Sequence, residues 1–126
     1  MDPVRVSSVE PDTIRPDPRA EGTVLVTVRL APVPGQLWRA RFNQSLLRSS
    51  NFGRFELGTD AASVNVTVRR DEQVGDRLIE LGVIVGQTNT EVAEEERRLD
   101  AEDARQQLRQ DADVERVRRD VQALDA

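Results

Sequence analysis

Between Thr23 and Ala31 the chain alternates without a break. Val24, Val26, Val28 and Leu30 fall on one side, and Leu25, Thr27 and Arg29 on the other. A period of two commits the segment to an extended strand with one buried and one water-facing side. Pro32 and Pro34 end it, since proline cannot supply the ladder's N–H. Everything else in the chain has to cover the apolar side of this strand.

The period changes directly afterwards. Trp38, Phe42 and Leu46 recur every fourth residue over 35–48, with Leu37 and Leu47 beside them. This predicts an amphipathic helix with Arg39, Arg41, Asn43 and Arg48 toward solvent, left through Ser49, Ser50, Asn51 and Gly53. Two strands follow. Phe55 and Leu57 alternate with Arg54 and Glu56, and Val64, Val66 and Val68 alternate with Asn65, Thr67 and Arg69. Gly58-Thr59-Asp60 marks the hairpin between them. Upstream, Val4 and Val6 form a short strand signal. Residues 10–22, with Pro11, Pro16 and Pro18, are expected to be an exposed loop.

Asp71 is the expected N-cap of a second helix, with Glu72 in its first turn. Val74, Leu78, Leu81, Val85 and Val92 make its apolar stripe, joined by Ile84. Gly82 and Gly86 sit four apart. Glycine inside a helix costs up to about 1 kcal/mol, so the pair predicts a close backbone approach to a neighbour. One continuous helix to about Leu99 is the reading adopted. The alternative ends the helix near Gly86 and restarts it where Thr88 and Glu91 have capping-box spacing.

The order β-β-α-β-β-α defines an α+β, two-layer sandwich. It corresponds to a ferredoxin-like layout with the last strand moved to the front, and the crossover rules give an antiparallel sheet of order 1-2-4-3 with both helices on one face. The domain is expected over 1–90. Residues 91–126 are expected to form an acidic, charged helical tail. Glu94–Arg98 and Glu115–Arg119 stand in the favourable i,i+4 order. Val114, Val117, Val121 and Leu124 follow a 3-4-3 seam spacing that Leu99 and Leu108 do not share, and Asp100, Asp111 or Asp113 could each cap a fresh helix.

Composition removes several chemistries. The chain has no cysteine, histidine, lysine or tyrosine, and all eighteen basic residues are arginine. Disulfides, thiolate metal sites, imidazole bases and Schiff-base lysines are therefore out of reach. Asp100, Glu102 and Asp103 lack the spacing of a calcium loop, and no glycine-rich phosphate loop is present. No two carboxylates are placed for acid–base work. The expectation is no catalytic residue, no metal, no cofactor and no enzyme. With no apolar run long enough to span a bilayer and no basic-then-apolar start, a cytoplasmic protein is expected.

Charge is unevenly spread. Acids and arginines balance over residues 1–85, so the whole net −5 lies in 86–126. Two interaction surfaces remain. The first is the tail stripe Val114, Val117, Val121 and Leu124, which needs a cover and points to a homo-oligomer or another protein partner through the C-terminal helix. The second is the outer sheet face, where Arg5, Arg29, Arg54 and Arg69 could contact nucleic acid. That alternative lacks the stacking aromatics usual on RNA-binding sheets. The function expected is a non-enzymatic interaction or oligomerisation module.

Overall fold

The structure, a computed structural model of the chain, describes residues 2–49 and 53–124. Six elements follow in order: β1 (Arg5–Pro16), β2 (Thr23–Ala31), α1 (Gln36–Arg48), β3 (Phe55–Leu57), β4 (Ser63–Arg69) and α2 (Val74–Leu124). The chain divides into two compact units, Met1–Val92 and Ala93–Ala126.

All four strands join one antiparallel sheet of order β1-β2-β4-β3. Its register pairs apolar with apolar on one face: Val24 with Val68, Val26 with Val66, and Val28 with Val64. Trp38, Phe42 and Leu46 of α1 and Leu81, Ile84 and Val85 of α2 pack with Val28, Leu30, Val64 and Val66 in a single buried cluster. Both helices therefore cover the same face of the sheet. The Trp38 and Phe42 rings stack at 5.1 Å, an offset that adds to the area they bury.

The expected loop over residues 10–22 is in part strand. β1 continues through Pro11 to Pro16, with register shifts between Val6 and Ser8 and between Glu10 and Arg15. The prolines forbid a central strand, but β1 lies at the sheet edge, where a missing N–H can face water. Prolines and bulges on an edge also discourage pairing with another chain. The β1–β2 turn closes on Gly22, whose φ of 79° suits glycine. Gly58 is required for a different reason: a Cβ there would fall 2.1 Å from the Ser63 hydroxyl.

α2 is continuous, as adopted, but runs past Leu99 to Leu124, and it settles several local expectations. Asp71 does not cap it. Glu72 instead accepts from the Arg69 N–H at 2.8 Å and pairs with Arg77, while the Gln73 carbonyl receives the Arg77 N–H. Thr88 starts no new helix: its buried hydroxyl donates to the Ile84 carbonyl at 2.8 Å. Asp100, Asp111 and Asp113 likewise lie inside α2. Gly82 and Gly86 are exposed, and a Cβ on either would meet nothing within 4 Å, so neither makes a close approach within the chain. After α1, Ser49 donates both its N–H and its hydroxyl to the Ser45 carbonyl; Ser50 and Asn51, expected in the same exit, lie outside the described residues.

Candidate interaction surfaces

One polar side chain ties the first unit together. Asn89 sits between Val85 and Val92 on the buried side of α2. Its amide oxygen accepts from the Val4 N–H at 3.0 Å and from the Trp38 indole N–H at 2.8 Å. Its amide nitrogen donates to the Val4 carbonyl at 2.7 Å. The start of the chain, α1 and α2 thus meet on one amide, and the fully buried Trp38 has its N–H satisfied. Sequence reasoning passed over this residue. The signal was there, an asparagine on an otherwise apolar helical stripe.

The outer sheet face is laced with ion pairs. Arg29 lies between Glu10 and Asp60, the latter at 2.6 Å, and both acids raise its already high guanidinium pKa, Glu10 more by its hydrogen bond. Arg19 reaches Asp17 at 3.2 Å and Glu56 at 3.5 Å. Thr27 donates to Asn65 at 3.0 Å. Arg54, expected on this face, reaches instead to Glu80 of α2 on the helix-covered side, at 3.5 Å. Of the four arginines expected to mark this face, Arg29 and Arg54 are neutralised. Arg5 and Arg69 have no ion pair among the described residues. Leu25 also departs from the expected polar pattern: it is 8% exposed, beside Arg15 and Thr67 in the ladder.

Two aspartates have depressed pKa values. The Arg19 N–H, at 3.0 Å, is the main cause for Asp17, and the Ser63 hydroxyl, at 2.7 Å, for Asp60, followed by the Ala62 N–H. Both stay ionised at neutral pH and serve to close turns. Among the described residues no group of three or more acids is arranged to hold a metal ion, and no helix is long and apolar enough to cross a membrane.

The second unit contributes an exposed helical face. Val114, Val117, Val121 and Leu124 all lie on α2, and each has more than half of its surface in water, from 52% at Val121 to 85% at Leu124. Leu99 stands eighteen residues before Val117, five whole turns at 3.6 residues each, so it shares their side after all. Leu108, nine residues from either, lies opposite. Neither of the expected i,i+4 pairs forms among the described residues. Instead i,i+3 pairs join Arg98 with Glu95 at 2.7 Å, Arg116 with Asp113 at 3.6 Å, and Arg118 with Glu115 at 3.2 Å.

A cleft of about 610 Å³ opens in the first unit, lined by Ile14, Pro16, Val24, Val26, Val68 and Val74, with Gly22, Thr23, Arg69 and Arg70 at one end. It occupies the end of the helix-facing sheet surface nearest the start of α2. Ile14, Val24 and Val74 are exposed there.

No family model matches the chain, and neither a curated protein nor a solved structure is significantly similar to it.

Proposed function

We propose that this protein is a non-enzymatic self-association module, in which the C-terminal part of α2 pairs with the same segment of a second copy. The observation that carries the reading is the uncovered stripe Val114, Val117, Val121 and Leu124. Covering a side chain of this size is worth roughly 1.5–3 kcal/mol. A solvated helix forfeits that gain. The 3-4-3 spacing puts Val114 and Val121 at one core position and Val117 and Leu124 at the other; valine at the first with Leu124 at the second is the combination that favours two parallel strands, and Val117 departs from it. Asp113 and Arg118 then fall on the flanking positions that face each other across a parallel pair. A second copy is preferred to an unrelated partner for this reason.

The scaffold reads as a permuted ferredoxin-like domain, a layout that supports many roles and decides none. The sheet order β1-β2-β4-β3 supports that assignment. The cytoplasmic setting expected from the sequence belongs to the same proposal.

Sedimentation equilibrium over a wide concentration range tests it. The full chain should show a monomer–dimer equilibrium, and Val117→Asp with Val121→Asp should leave a monomer whose first unit still unfolds cooperatively. A wild-type chain that stays monomeric at the highest concentration reached rejects the proposal.

A further inference from the structure

The apolar cleft points to a second activity, separate from self-association. Its floor is the part of the sheet that the helices leave open. Val26 is 4% exposed, but Val24, Ile14 and Val74 around it are 37%, 51% and 45% exposed. At its mouth stands Arg70. The guanidinium lies over Gly22, with Nη2 3.5 Å from where a Cβ on that glycine would sit. Arg70 has no ion pair or hydrogen-bond partner among the described residues, unlike Arg29, Arg54 and Arg77. A second, more polar cleft of about 580 Å³ shares Gly22, Thr23, Arg69 and Arg70 with the first, and is lined also by Ala20, Glu21 and Asp71.

We propose that the cleft binds one small amphipathic monoanion, an aliphatic chain ending in a carboxylate. The chain lies against Ile14, Val24, Val26, Val68 and Val74, and the carboxylate takes the fork of Arg70. Three observations select this occupant. The volume falls in the range of small-molecule sites, roughly 300–1,000 Å³, with an apolar lining and few polar groups at one end. Val26 and Val68, with the exposed Ile14, Val24 and Val74 around them, leave an apolar surface on which an aliphatic chain can lie. The Arg70 guanidinium, without an ion pair among the described residues, is complementary to a carboxylate and can hold both its oxygens. Glu21 and Asp71 line the adjoining cleft together with Arg70 and disfavour a second negative charge on the head.

Calorimetric titration of the full chain with octanoate, with octanol and acetate as controls, provides the test. Octanoate should bind saturably at one site per chain, at least about tenfold more tightly than octanol, since a charge-assisted hydrogen bond distinguishes them. Acetate should show no saturation. Arg70→Gln, an exposed change that leaves the core intact, should reduce octanoate to the affinity of octanol. Val24→Glu should abolish binding of both, with circular dichroism confirming the fold of each variant. Equal affinity for octanoate and octanol, unchanged octanoate binding in Arg70→Gln, or no saturable binding at all overturns the proposal. So does octanoate dissociating the wild-type dimer while Val117→Asp with Val121→Asp no longer binds octanoate, because the cleft would then belong to the interface between copies.

Discussion

Asn89 and Gln107 are both carboxamide side chains on α2, and they serve different purposes. Asn89, in the first unit, makes three hydrogen bonds to Val4 and Trp38, partners 85 and 51 residues away in sequence. Gln107, in the second, donates to Asp111 one turn along, at 3.1 Å and in full exposure. The same contrast holds for charge. Several ion pairs of the first unit join separate elements, as Arg48 with Glu91 at 3.1 Å and Arg54 with Glu80 at 3.5 Å do. Those of the second are i,i+3 neighbours on one helix. The first unit is held by contacts between distant parts of the chain. Along the second run i,i+3 pairs worth a few tenths of a kcal/mol each, and Val114, Val117, Val121 and Leu124 remain in water.

The largest effect expected from this comparison comes from removing the two amides in turn. Asn89→Ala leaves the Trp38 N–H and both polar groups of the Val4 backbone without their partner. It should lower the stability of the first unit by about 2–4 kcal/mol in urea denaturation. Gln107→Ala should change it by less than about 0.5 kcal/mol. Equal losses for the two would end the distinction between the units.

The glycines give the next effect, with the opposite sign. Nothing in the chain stands within 4 Å of a Cβ at Gly82 or Gly86. Gly82→Ala with Gly86→Ala should therefore stabilise the protein by about 1–2 kcal/mol, read as a higher urea midpoint. Destabilisation accompanied by loss of dimer would place these two turns, together with the exposed Ile79 and Val83, in an interface.

The smallest effect is in acid. Asp17 and Asp60 have pKa values below the ordinary carboxylate value in the folded state. Each favours folding above the unfolded pKa, near 3.9, and that contribution is lost as pH falls through the lower folded value. Replacing both with asparagine should flatten the loss of stability between about pH 5 and pH 3, while tail helicity keeps the same pH dependence as wild type. Parallel stability curves for variant and wild type would show that these carboxylates do not report on folding.

Much of this fold was legible because period and burial agree. The alternation of Thr23–Ala31 and the fourfold spacing of Trp38, Phe42 and Leu46 each point at one face, and the structure buries those faces together. β1 was underread because three prolines between Pro11 and Pro18 obscure a strand signal, and only the edge position tolerates them. The glycine pair was overread because a sequence shows the cost of Gly82 and Gly86 and not whether a neighbour is present. Of the candidate surfaces, the tail stripe could be read from spacing alone. The cleft could not, since its lining comes from β1, β2, β4 and α2.

By itself the sequence determined which residues are apolar, at what period, and where turns and charge fall. Those properties act over a few residues, and they were enough for most of the strands, for the sheet order and for the presence of both helices, though not for the unbroken run of α2 to Leu124. Only the tertiary structure decided what each apolar or polar group meets. Val24 and Val28 are the same residue type on the same face of the same strand. Val28 is sealed beneath Trp38 and its neighbours, whereas Val24, four residues earlier, lies where the helices give no cover. The physical reason is that burial depends on distant segments arriving at one place, and local pattern carries no record of where they stop.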